Sequence, residues 1–266
     1  MEKLIITNCA ADTSMHEGVP AIYHDSNRLA ADVAKAQAEG AAIAHIHAPP
    51  NDPDAWANHS KAIRDQCDIM LQYGISTQTV EQRKSVIVNH PETISVALGA
   101  HNLCFIGRDL MMTHPREELA ELMRMCNDNG VKPEFEVFGL GELWMLNDLA
   151  DKGLVEPPFL MTIFFGRPGG SWTPATAQEF LHRTNELPED SCYVTSVTGP
   201  NHLLLHSMAV MSGGHVRVGR EDEPYLSPSV LGENDAHVTR IARISSDYGR
   251  QIASVAEARK MLKIPS

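Results

Sequence analysis

Eight short apolar runs, most of them followed by a helical pattern, recur along this 266-residue chain with no linker or composition shift between them. Parallel strands need a crossover connection, and a helix after each strand supplies it, so the alternation predicts an α/β fold whose strands all run one way. Strands are expected at Leu4–Thr7, Ala41–His47, Ile69–Gln72, Ser95–Leu98, Pro133–Val137, Phe159–Phe165, Cys192–Val197 and His215–Val218. Helices are expected at about Ser26–Glu39, Pro53–Gln66, Pro115 to Gly130, Gly141–Lys152, from Thr173-Pro174 onward, Asn201–Met211 and Glu233–Tyr248. Ser254 and Glu257 have capping-box spacing and open a short extra helix at the C-terminal end. Eight such units predict one (β/α)8 TIM barrel spanning residues 1–266 as a single domain. The competing open doubly wound sheet would show a glycine-rich turn after an early strand, and Asn8-Cys9-Ala10-Ala11-Asp12 has none.

In a barrel of this kind the reacting groups sit at the C-terminal strand ends. His45 and His47 end the second strand, and a side-chain period of two puts both on one face, a ready pair of metal ligands. Closure makes strand eight the neighbour of strand one, so Glu221, just past strand eight, can reach the same point. Two neutral imidazoles and one carboxylate with an open position describe a catalytic Zn²⁺ site; a closed structural site takes four protein ligands. Non-haem Fe(II) uses the same set, and zinc is expected because the chain carries no other redox signal.

Arg217 and Asp222 flank Glu221. They read either as a rim ion pair or as a pair that fixes an anionic substrate and orients a base. Glu134 and Glu136 share a face of strand five, and an inward carboxylate is costly to bury unpaired, which gives Glu136 a functional or metal-proximal role. His101 and His202 follow strands four and seven and are candidate site residues. His16, His24, His90, His114, His182 and His237 are expected on the surface or on helices.

Twenty-two basic against 34 acidic residues give a net charge of −12, which argues against a nucleic-acid partner or an anionic membrane surface. Five scattered cysteines with no CxxC pair read as small buried hydrophobes in a reducing compartment. The N-terminal residues lack the features of a signal peptide, and no apolar run is long enough for a membrane span, so a cytoplasmic protein is expected.

His45-Ile46-His47, the strand Pro133-Glu134-Phe135-Glu136-Val137, the loop Gly166-Arg167-Pro168-Gly169-Gly170 and the run from Gly213 to Asp222 together resemble the β-keto acid cleavage enzymes over essentially the full chain. The resemblance implies a zinc-dependent (β/α)8 barrel, commonly a homotetramer. Such an enzyme condenses a β-keto carboxylate with acetyl-CoA and returns acetoacetate plus a new CoA thioester. It implies His45, His47 and Glu221 as ligands of one Zn²⁺ per subunit, Arg217 and Asp222 as the substrate-activating pair, and Glu136 as an active-site glutamate. Substrate contacts are expected from Asn8, Asp12, Gly74, Ser76, His101 and Asn102, and contacts to CoA from Arg167 and Gly169. The chain departs from the family pattern at three places. Pro49 stands where an HxHxR motif would have arginine, Gly74 stands where a serine is usual, and the Thr-x-Ala segment of strand one is replaced by Asn8 to Asp12. Two other readings stay open: a CoA-independent metal-dependent hydrolase or aldolase on the same barrel, and a non-catalytic metal-binding protein.

Overall fold

The structure is a computed structural model. It describes residues 1–10, 25–49, 52–105, 108–166 and 173–265, with the backbone alone over 103–105 and 108–109. Twelve strands are present among these residues: β1 (Ile6–Cys9), β2 (Ile43–Ile46), β3 (Met70–Tyr73), β4 (Thr93–Ala97), β5 (Gly99–Phe105), β6 (Arg108–His114), β7 (Lys132–Val137), β8 (Phe159–Phe165), β9 (Ser191–Val197), β10 (His215–Val218), β11 (Tyr225–Ser227) and β12 (Val230–Leu231). The helices are α1 (Ser26–Ala38), α2 (Pro53–Arg64), α3 (Val80–Ile87), α4 (Arg116–Asn129), α5 (Leu140–Asp151), α6 (Ala177–Thr184), α7 (His202–Met211), α8 (Asn234–Asp247) and α9 (Val255–Leu262).

Eight parallel strands close in the order β1-β2-β3-β4-β7-β8-β9-β10, and β10 pairs β1 to complete the ring. The fold is a (β/α)8 TIM barrel, and each expected strand is a barrel strand, displaced by at most two residues at an end.

Three elements are additional to the sequence reading. The antiparallel hairpin β5–β6 follows β4, and the small hairpin β11–β12 follows β10, so both stand on the C-terminal face. Helix α3 was not expected because it buries Arg83 with Val86 and Ile87 and shows no clean apolar stripe, although Thr79 and Gln82 close a capping box at its start. Helix α6 corrects a boundary. Thr176, not Thr173, is its cap, with Oγ1 accepting the Glu179 N–H at 3.2 Å; the Thr173 carbonyl instead accepts the Gly166 N–H at 2.9 Å.

Apolar residues form two groups. A large cluster fills the layer between strands and helices. A smaller one, with Ile5 just before β1 and Ile43, Met70, Leu160 and Val194 from the strands, packs on Ala253, Ala258, Leu262 and Ile264, so that the C-terminal segment with α9 stoppers the N-terminal end of the barrel. Above that floor the interior face turns polar, carrying Thr7, His45, Gln72, Ser95, Glu134, Thr162, Ser196 and Arg217, all buried. Branched apolar residues usually fill this space, and buried polar groups are costly unless paired, so the interior is built for chemistry rather than for stability alone. Among the described residues no helix is long and apolar enough to cross a membrane.

Candidate active site

The alternation of β2 puts His45 on the barrel interior, 1% exposed, in register with Gln72 of β3. Nδ1 of His45 donates to Oε1 of Gln72 at 2.8 Å, which fixes the tautomer and leaves the Nε2 lone pair free for a ligand. Burial, reinforced by the Arg217 charge, lowers the His45 pKa and keeps the ring neutral. His47 follows two residues on, with its Nε2 3.1 Å from that of His45, a separation that two lone pairs tolerate only with a proton or a cation between them.

Glycine at 74 makes room for both rings. A Cβ there would lie 2.2 Å from Cε1 of His47 and 2.8 Å from Nε2 of His45. Gly74→Ala is therefore expected to push the imidazoles apart and weaken metal affinity by roughly tenfold or more, with little effect on the metal-free melting temperature. Competitive zinc titration checks this, and an unchanged affinity would show that the rings do not rest against β3.

Glu221 arrives through a turn at the end of β10. A Cβ at Gly219 would lie 2.5 Å from the Cys9 carbonyl, so the chain crosses directly over β1. The Gly219 carbonyl then accepts the N–H groups of Asp222 and Glu223 at 3.2 and 3.1 Å, and this turn presents Glu221 and Asp222 to the interior. Oε1 of Glu221 lies 3.6 Å from Nε2 of His45 and 3.4 Å from Nε2 of His47. One ligand atom from each of the three residues falls within 4.8 Å of the others. Oε2 of Glu221 is buried with no hydrogen-bond partner, an acceptor left for a cation. Burial alone would raise this carboxyl, but its neighbours, the Arg217 guanidinium among them, outweigh it and hold it well below the usual range, so the ligand is anionic. The donor set fits zinc.

Arg217 is the hub beside it, 2% exposed. Its Nη2 donates to Oε1 of Glu221 at 2.9 Å and to Oδ1 of Asp222 at 3.0 Å, while Nε donates to Oδ2 of Asp222 at 2.9 Å. Ser196 and Cys9 donate to the same Oδ2 at 2.7 and 3.2 Å. Asp222 thus receives a bidentate fork and two further donors, an anchor for the guanidinium. Nη1 of Arg217 is buried without a partner, a donor left for a substrate oxygen.

A family model described as beta-keto acid cleavage enzyme matches residues 3–264. The chain belongs to the β-keto acid cleavage enzyme family. It is 29% identical to the 3-keto-5-aminohexanoate cleavage enzyme of Acetoanaerobium sticklandii, over 99% of both chains. It is also 29% identical to the 3,5-dioxohexanoate:acetyl-CoA acetone transferase of Paraburkholderia graminis, over 98% of this chain and 96% of that one. Among solved structures, ObcA in a binary complex with oxaloacetate superposes with a TM-score of 0.71 at 14% identity, over 91% of this chain and 67% of that chain, a likeness of fold.

Other residues expected to serve this β-keto acid cleavage enzyme family member fall in several places. The Ser76 hydroxyl lies against the Glu136 carboxyl, which burial raises and Arg217 partly lowers. His101, on β5, stacks on Phe138 with centroids 4.5 Å apart; Phe138 stacks on Phe164 at 4.9 Å, and the Arg217 guanidinium lies 5.3 Å from the Phe164 centroid. A continuous ring wall thus runs from Arg217 out to the hairpin that also carries Asn102. His114 corrects an expectation: it ends β6, is buried, and stacks on His101 at 5.7 Å. His237 lies on helix α8, as expected, on its buried face. Asn8 is not brought to the cluster. It faces the strand–helix layer, fully buried, and donates to the Val218 carbonyl at 3.3 Å, because β1 alternation turns Cys9 inward instead. At Pro49 the backbone carbonyl accepts the Trp56 indole N–H at 3.3 Å. Asp12, Arg167, Gly169, His16 and His24 lie outside the described residues.

Sequence reasoning missed Cys9 and Ser196. Cys9 is a buried cysteine as expected, yet it is no mere apolar filler, since its sulfur also accepts from Nε of Arg217 at 3.0 Å. Ser196 was legible only as the inward residue one position before the end of β9.

Glu134 lies below Glu136 on the same interior face, 0% exposed, with neither carboxyl oxygen hydrogen-bonded. Burial, then the Glu136 charge, pushes its pKa up to about 8. An unfolded glutamate titrates near about 4.3, so between these values the folded chain keeps a proton that the unfolded chain has lost, and stability falls as pH rises through that window. Glu134→Gln is expected to flatten this decline. Melting temperatures from about pH 5 to 8 check it, and parallel curves for variant and parent would sink it.

Proposed function

We propose that this protein is an acetyl-CoA-dependent acyltransferase that, with zinc held by His45, His47 and Glu221, converts a β-keto carboxylate and acetyl-CoA into acetoacetate and a new acyl-CoA. The observation that carries the reading is the convergence of an open three-ligand cluster and a buried Arg217–Asp222 pair at one point of a barrel whose relatives bear acetyl-CoA transferase names. When bound, zinc supplies Lewis acidity toward the keto and carboxylate oxygens of the substrate.

The remaining chemistry belongs to the chain. Gln72 holds His45 in the ligating tautomer. Arg217, kept charged by Asp222, sets a fixed positive charge where the enolate develops, in a site already dry, so the stabilisation needs little reorganisation. A base supported by Arg217 and Asp222 takes the proton from the carbon between keto and carboxylate groups. That carbon attacks the acetyl carbonyl and CoA thiolate leaves. The thiolate then adds to the former keto carbon, the bond from that carbon to the attacking carbon breaks, and the departing enolate takes the proton back as acetoacetate. Glu136 with Ser76 lines the same space. By the same reading the protein works in the cytoplasm as a homotetramer with one zinc per subunit.

A panel of β-keto acids offered with acetyl-CoA to the metal-loaded protein, followed by acetoacetate release, tests the proposal. Turnover of none of them would overturn it, and turnover that needs no acetyl-CoA would transfer the site to a hydrolase or aldolase.

A further inference from the structure

Acetyl-CoA is a long polyanion, and the C-terminal face offers more than one place to lay it. A cavity of about 700 Å³ lies between the β3–α3 loop and the base of hairpin β5–β6, but Glu81, Glu117, Glu118 and Glu121 line it and would repel phosphates. A second cavity, of about 670 Å³, lies between the β9–α7 turn and hairpin β11–β12. Its walls are mainly apolar, with Pro200 and Leu203 on one side and Tyr225, Leu226 and Leu231 on the other. Glu223 also lines it, and both carboxylate oxygens are engaged, accepting the N–H groups of Gly199 at 2.6 Å and Tyr225 at 3.1 Å.

His202 is the histidine that lines this groove. It is 7% exposed, its Nδ1 donates to the Gly199 carbonyl at 3.0 Å, and its Nε2 is buried with no partner. With the proton on Nδ1, Nε2 is an acceptor that wants an N–H donor. Behind the hairpin, Arg240 of α8 donates to the carbonyl of Leu226, and Arg243 follows it one helical turn on. The groove also adjoins the catalytic cluster along the chain: Glu223 follows Glu221 and Asp222 in the same turn, and Gly199 follows Ser196 at the end of β9.

We propose that this groove holds the pantetheine arm of the acyl-CoA substrate, an extended apolar chain carrying two amides, with His202 Nε2 accepting an amide N–H and Arg240 and Arg243 meeting the phosphates. Apolar walls with a few placed polar groups are what such a chain needs, and the charge distribution selects this cavity over the acidic one. The assignment rests on the acyl-CoA reading of the preceding section.

Leu203 and Leu231 are 36% and 50% exposed, so a glutamate at either is compatible with the fold. Titration calorimetry with desulfo-CoA on the metal-loaded full chain, beside steady-state kinetics, tests the groove. Leu203→Glu and Leu231→Glu are expected to raise the desulfo-CoA Kd and the acetyl-CoA KM tenfold or more, while the keto-acid KM and metal content hold. His202→Ala is expected to raise them several-fold, and Glu121→Leu, in the acidic cavity, to leave them unchanged. If the parent binds desulfo-CoA and the groove variants bind it equally well, the groove is overturned and the acyl-CoA reading stands. The groove is likewise overturned if Leu231→Glu changes only the sedimentation mass, since it would then be a contact between copies. If the parent binds no desulfo-CoA, both fall.

Discussion

Arg217→Ala is expected to abolish turnover, by roughly 10²–10³-fold or more, while the metal stays bound. The guanidinium is ion-paired with the buried carboxylates of both Glu221 and Asp222, so its removal takes the arginine pair from each at once. Breaking a buried pair in this way costs about 3–5 kcal/mol, which should appear as a lower melting temperature. Metal retention follows because Oε1 of Glu221 loses a competing hydrogen bond and not a ligand position. Arg217→Lys separates the two effects. It restores a positive charge, and with it part of the stability, but a single ammonium cannot reproduce a fork that reaches both Asp222 oxygens and Glu221 at once, so turnover stays low. The measurements are kcat, melting temperature and metal content on both variants; an active Arg217→Ala enzyme would contradict the role.

His47→Ala should do the reverse, sparing the fold and emptying the metal centre. The His47 side chain is 29% exposed against 2% for His45, and its ring sits at the mouth of the site, so truncation costs little packing. Loss of one of three ligands should reduce zinc content at equilibrium to a small fraction and take activity with it. Metal analysis after dialysis decides it, and undiminished zinc would remove the ligand assignment and most of the mechanism.

Much of the site was legible because its determinants are periodic or topological. Period two made His45 and His47 one pair, and barrel closure carried Glu221 to them from the far end of the chain. Asp222 and Arg217 came with Glu221 by adjacency. What could not be read depends on contacts that no period encodes. A cysteine at position 9 looks the same whether its sulfur fills a gap or bridges Arg217 and Asp222. Ser196 is one of many serines until β9 is placed beside β10. The hairpin β5–β6 carries no strong alternation, so His114 passed for a surface residue, and α3 hid behind a buried Arg83 whose guanidinium ties down the Ile75 and Ser76 carbonyls at 3.2 and 2.7 Å. At Gly74 the sequence showed a missing serine, and only the folded chain shows that the vacancy is the space the imidazoles use.

The packing of α9 against the barrel floor makes the catalytic interior a vessel with one open end. Leu262 and Ile264 sit beneath Ile43 and Leu160, and directly above begins a column of carboxylates, hydroxyls and a guanidinium whose pairing depends on being dry. Trimming the last dozen residues would therefore act at a distance: solvent entering from below would screen the Arg217 charge and let Glu134 ionise, weakening the chemistry at the mouth without altering any residue that touches substrate.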